Sequence, residues 1–196
     1  MQRSCSLFRP AVLAVAVALA TSGVEAETYQ IDDTHSSTDF SIRHLVGRTK
    51  GRFAEFGGTI VYDPADPTAA TFFGTIQVSS IDTDNERRNA HLLSRDFFDV
   101  GQYATITFAS TKVTKTGDNT LDVAGRLTIH GITKEVVLPV EVLGTGTNPM
   151  SGKAQAGFAT SLTVKCSEYG VNSWERFNAI LGDDVEIDVA VEANAN

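Results

Sequence analysis

Cysteine is scarce in this chain of 196 residues: Cys5 and Cys166 are the only two. Cys5 falls in an N-terminal stretch that reads as a signal peptide, which leaves Cys166 alone and excludes an intrachain disulfide. Tryptophan occurs once and proline five times. No Pro/Ser-rich linker or internal repeat divides the chain, so a single domain is expected. Positive charge is also short, with 16 Lys and Arg against 24 Asp and Glu for a net charge of -8. An acidic chain of this kind is a poor match for nucleic acid or for lying on an anionic membrane. Past the N-terminal stretch no run approaches about 18 unbroken apolar residues, so no integral membrane span is expected.

Catalytic and metal signatures are missing too. Asp32, Asp33, His35 and Ser36 could be sketched as a nucleophile, base and orienter, but adjacent residues of an extended segment point to opposite sides. No Gly-x-Ser-x-Gly elbow is present. His35, His44, His91 and His130 show no His-x-x-x-His spacing, and no Cys-x-x-Cys occurs. The expected protein is not an enzyme and carries no cofactor or metal. Cys166 reads as a small buried hydrophobe.

Turning to what is present, Arg3 and Arg9 precede an apolar run from Ala11 to Ala20, and Val24-Glu25-Ala26 resembles a cleavage site. A signal peptide over residues 1–26 and a mature domain over 27–196 are expected, in the periplasm or secreted. Losing Arg3, Arg9 and Glu25 takes the net charge from -8 to -9. Roughly 170 residues can bury about two-thirds of the unfolded chain's surface.

Period-two alternation then recurs almost end to end. Phe40, Ile42 and His44 share one face, and Phe72, Gly74, Ile76 and Val78 share another. Ile106 and Phe108 follow, then Leu121 to Ile129 by twos, Phe158 to Cys166 by twos, and Val185 to Val191 by twos. Such runs are half-buried antiparallel strands. Turn signals separate them at Asp63-Pro64 with Asp66-Pro67, at Gly117-Asp118-Asn119 and at His130-Gly131, with a looser loop from Gly144 to Gly152. The fold class is therefore all-β, with about eight strands in a sandwich or an up-and-down barrel. Inward glycines at Gly74, Gly125 and Gly157 lower the filled volume locally and permit room for one small ligand, or equally mark a bulge or a sharp bend.

Between two strand runs lies Ser80-Ile81-Asp82-Thr83, leading to Arg88, His91 and Leu92 and on to Asp96-Phe97-Phe98. Thr83 and Glu86 have capping-box spacing, and Arg88, His91 and Leu92 fall on one helical face. This helix either lines a cavity mouth or plugs a barrel end. A second short helix is expected around Trp174 to Ile180. Arg43, Arg48, Lys50 and Arg52 form a basic cluster in an otherwise acidic chain, and Arg87-Arg88 a second. Either suits a diphosphate or a solvated rim.

These residues in this order resemble the YceI-like family. The shared elements begin with Tyr29-Gln30-Ile31-Asp32 and His35-Ser36, followed by Phe40 and His44. Gly51-Arg52-Phe53 with Phe56 and Gly58 comes next, then Ser80-Ile81-x-Thr83 with Arg88, His91-Leu92 and Asp96-Phe97. Phe108-x-Ser110 and Gly125-x-Leu127-Thr128-x-His130-Gly131-x-Thr133-Lys134 complete the set. The resemblance implies an extended lipocalin-like antiparallel barrel around an elongated apolar pocket. It also implies ligands such as polyprenyl diphosphates, isoprenoid quinones or fatty-acid amides. Three residues depart from the family's pattern: Asn89 where Asp is frequent, Ala104 where Pro is, and Cys166 where Arg is.

The expected function is a carrier that binds an isoprenoid or other long-chain amphiphilic lipid non-covalently. Its expected apolar lining is Phe40, Ile42, Phe72, Ile76, Val78, Phe108, Leu127, Phe158 and Leu162. Its expected polar end is Arg88, His91 and Arg52. The alternative is a packed barrel acting through its outer face as a protein-interaction or stress-response module. A homodimer through an exposed edge stays open.

Overall fold

The computed structural model describes residues 26–171 and 180–196. The expected signal peptide up to residue 25 lies outside the described residues. So does the helix expected around Trp174, apart from Ile180, which is in a turn. The described chain folds as β1 (Glu27–His44), β2 (Gly47–Phe53), β3 (Phe56–Tyr62), β4 (Thr71–Gln77) and β5 (Ile81–Asp82), then helix α1 (Glu86–Leu92). It continues as β6 (Thr105–Lys115), β7 (Thr120–Ile129), β8 (Ile132–Thr147), β9 (Ala154–Lys165) and β10 (Leu181–Ala195).

The strands pair antiparallel in the order β10-β9-β8-β7-β6-β4-β3-β1, and β10 closes the ring onto β1. That is the expected all-β barrel, with eight strands in the ring. β1 is long enough to serve two neighbours along one edge. Glu27 to Gln30 pair with β3, whereas Asp39 to His44 pair with β2, which in turn holds the short β5. The β1–β2 hairpin therefore extends the wall beyond the ring. Turn chemistry sets the other connections. His130 and Gly131 both have positive φ, 50° and 73°, as a tight two-residue hairpin demands. The loop expected from Gly144 to Gly152 is shorter than its composition suggests, because β8 runs on to Thr147 after a bulge between Val142 and Gly144.

Alternation places one face of each strand inside, and the interior has two packed ends. At one end Tyr29, Tyr62, Leu121, Val123 and Ala193 form a cluster in which Val123 and Ala193 are fully buried. At the other, Phe53, Val78, Ile81, Phe97 and Tyr169 pack together, with Leu92, Leu93 and Phe98 from α1 and the chain after it. Each fully buried side chain of this size contributes about 1.5–3 kcal/mol.

Two of the glycines expected to open the interior do not. A Cβ on Gly125 would lie 2.5 Å from the ring of Phe108 and 2.6 Å from the Ala109 carbonyl, so Phe108 already occupies that space. Gly157 sits on the outward-facing side of β9, beneath Leu143 at 3.3 Å. Gly74 behaves as expected: a Cβ there meets nothing within 4 Å. Among the described residues no helix is long and apolar enough to cross a membrane.

Candidate functional site

Between the two packed ends the barrel encloses a cavity of about 620 Å³. Eight of the nine expected apolar residues lie on its wall: Phe40, Ile42, Phe72, Ile76, Phe108, Leu127, Phe158 and Leu162. Aromatic edges pack around Phe158 in this wall: Tyr62 and Phe72 each meet its ring edge-on, at 5.3 and 5.4 Å. Gly74 interrupts the aromatic wall of β4, so the space opposite Phe108 stays open.

Val78 does not reach the cavity. β4 ends at Gln77, and Val78 opens a 3-10 turn that buries its side chain in the second cluster, at 1% exposure. The alternation that selected it had already stopped. The inward faces of β8 and β10 were left out of the expected lining. Leu138, Val140, Ile187 and Val189 all contribute to the wall. The period of β10 is plain in the sequence. That of β8 is blurred because outward Val137 and Leu143 are apolar as well, each 58% exposed.

The polar end is built on α1. The helix starts later than the expected capping box. Asn85, not Thr83, is the N-cap, accepting from the Arg88 backbone N–H at 2.9 Å. Thr83 is instead buried at 3% exposure and grips the Arg88 side chain. Arg88 donates Nε–H to Thr83 Oγ1 at 2.8 Å and Nη2–H to the Thr83 carbonyl at 2.5 Å. The Thr83 hydroxyl donates to Asn89 Oδ1 at 2.6 Å, and that oxygen also accepts from the Thr83 N–H at 3.0 Å. Two of the five guanidinium N–H donors are so engaged. Among the described residues no carboxylate forms an ion pair with Arg88.

Arg88, His91 and Leu92 all line the cavity, as their shared helical face implied. His91 lies 3.1 Å from Asp96 and edge-on to Phe97 at 5.1 Å between ring centres. Arg52 belongs elsewhere. It lies on the outer face of β2 and pairs with Asp82 at 3.0 Å, because register sets inward Gly51 and Phe53 on either side of it. The Asp82 carboxyl is held below the usual range by the Asp84 backbone N–H, helped by Arg52 and Asn89. Exposed His44, from the hairpin, also lines the cavity, so the interior meets solvent beside β1 and β2 as well as at Arg88.

Cys166 lines the same end. Burial, with Asp183 and Asp184 nearby, pushes its thiol up to about 11, so it stays a protonated, unreactive group at neutral pH. Thr160, on the inward face of β9, has a buried hydroxyl with no partner among the described residues. Glu192 escaped sequence reading because it lies far along the chain from Asp32 and His35. Asp32, His35 and Glu192 bring one ligand-type atom each within 4.8 Å of one another where β1 bulges against β10. Asp32 and His35 already pair at 2.9 Å.

The chain matches the YceI-like domain over residues 29–193. The chain belongs to the YceI-like family. A UPF0312 protein of Pseudomonas paraeruginosa is 39% identical over 165 residues, covering 82% of this chain and 85% of that protein. Among solved structures, BcnA of Burkholderia cenocepacia has a TM-score of 0.76 at 28% identity, covering 83% of this chain and 98% of that one. A polyisoprenoid binding domain from Saccharophagus degradans has a TM-score of 0.68 at 18% identity, covering 86% and 98%. At that identity the last likeness concerns the fold alone. The YceI-like barrel is thus shared along nearly the whole described chain.

Proposed function

We propose that this YceI-like protein is a carrier that holds a long-chain amphiphilic lipid, an isoprenoid in particular, non-covalently in the barrel. The observation that supports it most is the almost wholly apolar cavity between the two packed clusters, edged by Arg88, His91 and His44. A fully packed barrel acting through its outer face would have no such space. The Saccharophagus degradans neighbour, described as a polyisoprenoid binding domain, has the same barrel fold.

The magnitudes suit binding without catalysis. At the ~30 Å³ that a water-sized group occupies in a liquid, the cavity takes about 20 carbon-sized groups. Burying ten methylene-sized units supplies about 8 kcal/mol gross at ~0.8 kcal/mol each. That is close to micromolar affinity before the costs of ordering the chain. The tail supplies affinity and the headgroup supplies selectivity. Arg88 offers its remaining N–H donors to an anionic headgroup such as a diphosphate. The signal-peptide pattern of residues 1–26 supports a periplasmic or secreted carrier.

The test is native mass spectrometry of the mature protein purified from its own compartment, with solvent extraction of whatever co-purifies. A prenyl-type adduct is the expected result. A protein that stays free of adduct after incubation with prenyl lipids would overturn the reading.

A further inference from the structure

The β1–β2 turn breaks the rules of its own local structure. Leu45 has φ 51°, at the first position of a two-residue turn that ordinarily takes glycine. Leu45 is 53% exposed and Val46 is 106% exposed. Below this tip the outer face of the hairpin carries Arg43, Arg48, Lys50 and Arg52, with no acidic residue between positions 40 and 54. Arg43 stands directly across from Arg48, an arrangement that costs stability. The apolar side chains at this exposed tip add nothing to the packed interior.

We propose that the β1–β2 hairpin docks the protein on an anionic lipid bilayer, with Leu45 and Val46 entering the interface and the cations below meeting lipid phosphates. The inference deepens the carrier reading, on which it rests for its purpose. His44 next to the tip lines the cavity, so docking sets the cavity's solvent-facing edge against the lipid from which a chain would enter.

Charge complementarity favours a bilayer over a protein partner. Two apolar residues on a narrow turn fall far short of a protein interface. An apolar tip with clustered cations beside it combines burial in the bilayer interface with attraction to anionic headgroups. Part of the positive charge is compensated: Arg48 pairs with Glu186 at 2.8 Å and Arg52 with Asp82 at 3.0 Å. The acidic remainder of the chain, which argues against broad adsorption, restricts contact to this one end.

The test is co-sedimentation of the mature protein with phosphatidylcholine vesicles, with and without phosphatidylglycerol. The protein is expected to bind the anionic vesicles at least tenfold more tightly than the neutral ones, and to lose that preference in high salt. The variant carrying Leu45→Ser and Val46→Ser should bind anionic vesicles at least tenfold more weakly while taking up detergent-presented prenyl lipid as the parent does. Equal binding to both vesicle types, or a double variant that sediments like the parent, would overturn the proposal. Sedimentation needs no ligand in the cavity, so failure of lipid uptake in solution would count against the carrier reading alone.

Discussion

Thr83 holds Arg88 by both ends of its own residue, accepting Nε–H on its hydroxyl and Nη2–H on its carbonyl, at 2.8 and 2.5 Å. The same hydroxyl gives its proton to Asn89 Oδ1. The guanidinium is thereby aimed at the cavity by neutral groups. With aspartate at position 89, the same acceptor would carry a negative charge beside the guanidinium and compete with an anionic headgroup. Asn89→Asp should therefore weaken binding of a prenyl diphosphate by roughly 1–2 kcal/mol and leave a prenyl quinone unaffected. Calorimetric titration of both ligands checks this, and equal losses for both would remove Arg88 from headgroup recognition.

Phe108 and Gly125 make the second prediction. The phenyl ring occupies the place a side chain would take, and the backbone of Ala109 is equally close. Gly125→Ala should cost about 1–3 kcal/mol through overpacking, read as a lowered urea midpoint. Gly74→Ala, where a Cβ meets nothing within 4 Å, should leave that midpoint unchanged or raise it.

These two glycines also show what could be read in advance. Alternation found the inward face of six strand runs, and with it eight of the nine expected lining residues. It could not say which inward glycine is empty, because Phe108 reaches Gly125 across the β6–β7 pairing. Val78 was misread since nothing in its residue type signals the 3-10 turn that ends the alternation. Arg52 was misread since a basic residue beside an apolar motif carries no sign of which face it takes. The Arg88, His91 and Leu92 face was legible because a helical step of three or four is enough to define it. The grip of Thr83 on Arg88 was hidden by a plausible capping box two residues early.

Cys166 offers a reporter of occupancy. Its thiol stays protonated near neutral pH and borders the cavity. Alkylation by iodoacetamide should be far slower than for a free thiol. It should slow further, by at least several-fold, when a prenyl lipid is bound. Labelling followed by intact-mass measurement reads both, and a rate indifferent to lipid would place the ligand away from this end.

The Asp32 and His35 pair predicts a pH window. The hydrogen bond to His35 holds the Asp32 carboxyl below its usual range, and the same bond raises the His35 imidazole. The depressed carboxyl contributes stability that is lost as pH falls through its folded value. The raised imidazole contributes stability that is present at lower pH and lost as pH rises through its folded value. The advantage of the parent over His35→Asn should therefore peak near about pH 5–6 and vanish in both stronger acid and mild base. Thermal unfolding across pH measures it. Both groups are exposed, so the effect is small.

The central claim is that the space beside Gly74 is where the lipid chain lies. Gly74→Ile puts a branched side chain into that space on a strand that favours it, without touching the polar end. The decisive measurement is titration of the parent and of Gly74→Ile with a prenyl lipid of about 20 carbons, the length that the ~30 Å³ per group filling suggests. The account predicts near-micromolar binding by the parent, and at least a tenfold loss in a variant that unfolds no earlier. Equal binding by the two proteins would show that the chain lies elsewhere and would contradict it.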